Sequence, residues 1–200
     1  MNFTSNIPTK PTYSRTITHA RFSSAQNGRK YKLAGLLIIS LFSFSTILAQ
    51  QETNYAVHAN IIYHFTKYID WPANKKSGDF VIGVVGETAL YEELTKSISG
   101  KMAGDQEIVV NKFSSSSGSF NCHILFISED ESSNWKKIVS KTAGSSTLLV
   151  SESEGLAQRG GCINFIIISD HLKLEINKNN IEQRGLGIAS ELLQLGKIVK

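Results

Sequence analysis

Four histidines in the body of the chain, two cysteines and one glycine-bounded turn are the residues whose types could carry chemistry. His58, His64, His123 and His171 contain no His-x-x-x-His pair, so a helical metal site has no support. Cys122 and His123 are adjacent on an expected strand, which sends their side chains to opposite faces and makes them poor joint ligands. Gly83-Val-Val-Gly86 lies where a strand meets a helix, the place for a phosphate-binding turn. It lacks the G-x-G-x-x-G spacing, no P-loop lysine follows, and Glu87, Glu92 and Glu93 would repel an anion. A tight strand-to-helix turn is the preferred reading. No G-x-S-x-G elbow occurs and no serine has a recognisable base partner. Asp70, beside Trp71, reads as a helix-end device rather than a catalytic acid. These residues point to no enzyme, metal site or cofactor.

The elements that position them alternate. Ala56 to Ile69 carries Val57, Ile61, Ile62, Phe65, Tyr68 and Ile69 at helical spacing, and Pro72 disfavours helix at the residue before it. Phe80–Val85 is an apolar strand. Thr88 reads as the cap of a helix that stops near Gly100. Glu107–Phe113 alternates as a strand, and His123–Ile127 is continuously apolar, as a strand buried on both faces would be. Ser132–Lys141 is a short helix, Thr147–Val150 a buried strand and Gly155–Gly160 a turn. Cys162–Ile168 and Leu172–Ile176 form a hairpin across Ser169-Asp170-His171. Ile181, Ile188, Leu192, Leu195 and Val199 fall on one stripe, which predicts a long C-terminal helix from about Lys178 to Val199. Ser114–Ser119 is a low-complexity loop. The expected fold is α/β: a mostly parallel sheet of about five to six strands, helices on both faces and a closing antiparallel hairpin.

The first 49 residues stand apart. The apolar run Leu33–Ala49 follows Arg29, Lys30 and Lys32 and ends on a small residue, a secretory signal pattern. At 17 residues it is marginal for a membrane span, which needs about 20; an uncleaved anchor is the alternative. The chain is formally +4, but the six basic residues before Gln50 have no acidic counterpart, leaving 15 basic and 17 acidic residues after it. A net-negative body supplies no nucleic-acid footprint. Residues 50–200 have the size of a single domain, and an export signal places it in the periplasm.

Two cysteines in an exported chain invite a disulfide. Cys122 opens one strand and Cys162 another, with the Thr147 strand between them in sequence. If strand order follows sequence order they lie two spacings apart, about 9–10 Å, beyond the roughly 7 Å between Cα atoms that a bridge tolerates. Two buried thiols are the preferred reading; an intramolecular bridge and an intermolecular bond are the alternatives.

Together the motifs form a recognisable series: Y-x-x-x-x-x-I-x-Y-x-F-T-K-Y-I-D-W-P from Tyr55 to Pro72, F-V-I-G-V-V-G from Phe80 to Gly86, and C-H-I-L-F-I from Cys122 to Ile127. It continues with E-G-L-A-Q-R-G-G-C-I-N-F from Glu154 to Phe165, L-K-L-E-I-N from Leu172 to Asn177, and G-L-G-I-A-S-E-L-L-Q-L from Gly185 to Leu195. In order and spacing this resembles the YfiR-like family of exported bacterial proteins, over essentially the whole body of the chain. The resemblance implies a periplasmic repressor that binds the sensor region of an inner-membrane diguanylate cyclase, or of a histidine kinase, and so lowers cyclic-di-GMP and biofilm formation. It also implies an outer-membrane lipoprotein partner and a homodimer. The namesake has further cysteines, so redox control through several bridges does not carry over.

Binding rather than catalysis then needs anchor residues. Tyr68, Trp71 and Pro72 are one candidate set, with packing of the first helix on the sheet as the plainer reading. Gly160–Phe165 is another: Arg159 and Asn164 could orient a small polar ligand, joined by Arg184 if the last helix returns there. A periplasmic sensor domain for a small ligand is the alternative function.

Overall fold

The computed structural model describes residues 53–200; the apolar run Leu33–Ala49 and its signal-peptide reading lie outside them. Among the described residues no helix is long and apolar enough to cross a membrane.

α1 (Tyr55–Tyr68) buries His58, Ala59, Ile62 and Phe65, one face of a 3.6-residue period. Val57, expected on that face, is exposed. The chain then extends as β1 (Ile69–Asp70) before Pro72, whose ring disfavours helix at Trp71. β2 (Phe80–Val85) leads into α2 (Leu90–Ser97), where the Thr88 hydroxyl accepts from the Leu90 N–H at 3.2 Å. β3 (Met102–Ala103) and β4 (Gln106–Phe113) follow. β5 (Ile124–Ile127) and β6 (Leu148–Ser151), linked by α3 (Trp135–Lys141), are buried at every position. Each large apolar side chain so buried contributes roughly 1.5–3 kcal/mol, which makes these two strands the centre of the core. β7 (Ile163–Ile168) and β8 (His171–Ile176) pair antiparallel around Ser169 and Asp170.

With the terminal strand β10 (Gly196–Ile198), the sheet has eight strands in the order β10-β8-β7-β6-β5-β2-β4-β3. Only the β7–β8 and β3–β4 pairs are antiparallel, so the mostly parallel α/β architecture holds. The strand count exceeds the expected five to six. Met102–Ala103 and the terminal Gly196–Ile198 are too short to show a two-residue period.

The long C-terminal helix is not there. The segment divides into α4 (Lys178–Gln183), β9 (Gly187–Ile188), α5 (Ser190–Gln194) and β10 (Gly196–Ile198). Gly185 at φ +71° stops α4, a left-handed conformation that glycine adopts without steric cost. β9 pairs antiparallel with β1, and β10 pairs parallel with β8. Ile181, Leu192 and Val199 of the expected stripe are buried, but Leu195 is 64% exposed. Tertiary pairing on the β8 edge overrode a helical apolar pattern that three glycines had already weakened.

β2 connects through α2 to β4 on one side, and the chain then returns to β5 on the other side of β2. Right-handed crossovers running in opposite directions put α2 and α3 on opposite faces. Ligand crevices of open α/β sheets form at such a reversal, beyond the carboxyl ends of the strands.

Candidate functional site

The loops leaving β2, β5 and β6 meet at this reversal, and each carries acidic residues near its start. Glu87 follows β2, Ser128-Glu129-Asp130 follows β5, and Glu152 with Glu154 follows β6. With Tyr55 and His58 of α1 and the outer half of β7 they line a groove of about 790 Å³. The Tyr55 hydroxyl donates to Glu152 Oε2 at 3.1 Å, and the Glu129 N–H donates to Glu152 Oε1 at 3.2 Å. The Glu87 N–H donates to Asp130 Oδ2 at 3.2 Å. Ser128 Oγ stands between the Val85 carbonyl, at 2.9 Å, and the Asp130 carboxylate. Gly86 at φ +100° lets the chain turn here, and a side-chain carbon on it would overlap Ser128 Oγ. Gly86 therefore serves backbone geometry, Gly83 lies within β2 where a side-chain carbon would meet Leu125 and Phe113 at 2.8 Å, and carboxylates stand where an anion would sit.

Burial pushes the Glu152 carboxyl above its ordinary range, against the pull of the Glu129 N–H and the Tyr55 hydroxyl. Burial also raises the Tyr55 phenol and lowers the His58 imidazole. The Ser128 hydroxyl holds Asp130 below the usual carboxylate range. The groove is thus a negative wall facing an apolar one, Phe165 to Ile168 and Leu172, suited to a cationic group on an apolar body. Among the described residues no three His, Cys, Asp or Glu side chains are grouped to hold a metal ion.

The family model described as YfiR/HmsC-like matches residues 55–197. The chain belongs to this family. Comparison with curated proteins gives no match. Among solved structures, an ABC domain from Streptococcus pneumonia in complex with L-Trp is similar at 13% identity with a TM-score of 0.44. The likeness covers 60% of this chain and 55% of that one, so the chain spans just over half of its length.

In this YfiR/HmsC-like domain the residues singled out from sequence occupy three separate places. Tyr68 and Trp71 line a second cavity, of about 640 Å³, between the end of α1, the β1–β9 ribbon and the β3–β4 turn. Trp71 is only 5% exposed; its ring meets Phe80 edge-on, with centroids 4.9 Å apart. Its indole N–H has no hydrogen-bond partner among the described residues. Pro72 is half-buried beside it.

Arg184 does return to the glycine segment, donating to the Thr142 carbonyl at 3.1 Å and the Gly160 carbonyl at 3.5 Å. Asn164 is fully buried and accepts from the Ser151 hydroxyl at 2.6 Å. Arg159 is exposed, and its carbonyl accepts the Trp135 indole N–H at 2.8 Å. A side-chain carbon on Gly161 would lie 2.8 Å from the Leu156 carbonyl oxygen, so this glycine serves close packing. Cys122 and Cys162 are buried free thiols, flanking β6 on either side as the sequence-order argument assumed.

The crevice residues Tyr55, Glu129, Asp130 and Glu152 were not singled out from sequence. Their signal was present: each acidic group directly follows an expected parallel strand. Strand order was needed to show that those strand ends converge.

Proposed function

We propose that this domain is a periplasmic signalling regulator that binds the sensor region of an inner-membrane diguanylate cyclase, or of a sensor histidine kinase, and holds it inactive without catalysis. The observation that carries the reading is family membership over residues 55–197, nearly all of the body of the chain. The basic, apolar leader supports delivery to the periplasm. A lipoprotein of the outer membrane as a second partner and a homodimeric state belong to the same reading. Repression of this kind is differential affinity: moving a target from 99% to 1% active takes about 10⁴-fold tighter binding to the inactive state, about 5.5 kcal/mol. The test is capture of solubilised membrane proteins on the exported protein, with cyclic-di-GMP measured in a deletion strain. Recovery of a cyclase or kinase, with cyclic-di-GMP rising on deletion, is the expected result. Repeated recovery of neither would refute the reading.

A second reading is a sensor domain for a small ligand. The groove at the strand reversal favours it, since such crevices are where open α/β sheets bind small molecules. A thermal shift on adding a single periplasmic metabolite, with no membrane partner captured, would support this reading over the first.

A further inference from the structure

We propose that the open flank of β7, from Phe165 to Ile168, is the docking site for an extended, lysine- or arginine-bearing segment of a partner protein. β6 pairs with β7 only at Ile163 and Asn164, whereas β8 continues alongside it to Ile168. On the β6 side the backbone of residues 165–168 therefore has no strand partner among the described residues. An unpaired apolar flank is a template for another strand, and proteins that keep such flanks closed use lysine, proline or very short strands. The two outer edges of the sheet follow that rule: β3 has two residues, and β10 has three with Lys197 at its centre. The outer half of β7 does not. It reads Phe-Ile-Ile-Ile, with Ile167 64% and Ile168 48% exposed.

Charge selects the occupant. The flank opens into the groove whose facing side carries Glu129, Asp130, Glu152 and Glu154. None of these four has an ion-pair partner among the described residues. Lys197, which also lines the groove, is held by Glu175 at 3.6 Å. An added strand would meet β7 through main-chain hydrogen bonds, with alternate side chains supplying specificity. Its apolar side chains would cover Ile167 and its cations would reach the carboxylates. A second copy of β7 would bring only phenylalanine and isoleucine to this place and leave the carboxylates uncompensated. The proposal rests on the regulator reading in one respect, that the occupant is part of a protein.

The probe is a nine-residue peptide of alternating lysine and valine with blocked ends, titrated into the purified exported protein. Binding should weaken at least tenfold when the lysines become glutamates, and at least tenfold when alternate backbone amides are N-methylated. Glu129→Gln with Glu154→Gln, both exposed and remote from the core, should weaken it several-fold, as should Ile167→Lys. Amide exchange at residues 165–168 should slow in the complex. Equal binding of the N-methylated peptide, equal competition by spermine, or self-association abolished by Ile167→Lys would overturn the proposal. The two readings separate cleanly. If the peptide binds as stated but membranes yield no cyclase or kinase, the regulator reading falls and this surface stands. If a membrane sensor is captured equally well by Ile167→Lys and by the double glutamine variant, the surface falls and the regulator reading stands.

Discussion

The hydroxyl of Tyr55 donates to Glu152 at 3.1 Å, tying the first turn of α1 to the loop after β6 across 97 residues of sequence. Both residues line the groove, and the bond links two elements that the sheet does not connect.

Because burial raises the Glu152 carboxyl, the folded state holds that proton more tightly than the unfolded chain does. Its stabilising contribution is full below the unfolded carboxyl value, roughly 4.3, and is lost as pH rises through the higher folded value. Glu152→Gln, which keeps an oxygen for the Tyr55 hydroxyl, should therefore raise the melting temperature at pH 7. It should also flatten the pH dependence on the neutral side of the carboxyl range. Tyr55→Phe should cost about 1 kcal/mol. Thermal melts from pH 4 to pH 8 would check both; a Glu152→Gln melt lower than wild type at pH 7 would refute the assignment.

His123 acts in the opposite direction. Its Nδ1 accepts the Val81 N–H at 3.0 Å, so the ring is neutral and Nε2 donates to the Lys75 carbonyl at 2.7 Å. Burial lowers the pKa of His123 and of His58. For a depressed imidazole the unfolded chain takes the proton first, so stability declines as pH falls below about 6.5. Chemical denaturation at pH 7.5 and 5.5 should show this loss, and it should shrink in His123→Gln even though that variant is less stable throughout.

Burial raises the Cys122 thiol to about 12 and the Cys162 thiol to about 11. The nearby Arg184 guanidinium offsets only part of the latter. Alkylation needs the thiolate, so iodoacetamide should modify neither cysteine in the native protein at pH 8 within an hour and both once it is unfolded. Intact mass resolves the two states. Rapid native labelling, or a mass two daltons low before reduction, would count against buried free thiols.

The β7–β8 turn places Ser169 at φ +49° and Asp170 at φ +61°. A two-residue turn of that kind favours Asn-Gly, and L residues in the left-handed region carry strain of order 1 kcal/mol each. Ser169→Asn with Asp170→Gly should stabilise the domain by about 1 kcal/mol, read as a higher denaturant midpoint at unchanged slope. No change would mean that the hairpin tip is already open in the transition being measured.

Legibility followed burial. Phe80–Val85 keeps its expected bounds because a central parallel strand is covered on both faces, so its apolar run is continuous and needs no partner to be recognised. The expected strands His123–Ile127 and Thr147–Val150 form within one residue of those bounds, as Ile124–Ile127 and Leu148–Ser151. The C-terminal segment failed for the converse reason. Leu192 and Val199 share a helical stripe with Leu195, yet Leu195 faces solvent while Gly196–Ile198 joins β8. Spacing along one chain contains no information about a free strand edge elsewhere.

The sequence by itself determined which segments are apolar enough to be central strands, where proline ends the first helix, and, through the order of its motifs, the family. Those are local properties, set by side-chain chemistry and by backbone freedom at single residues. Only the tertiary structure decided that β2 lies between β4 and β5. That order reverses the direction of winding and gathers Glu87, Asp130 and Glu152, far apart in the chain, at one crevice. It also decided that β6 stops short of β7, because the length over which two strands pair depends on both strands and on the loops that carry them away.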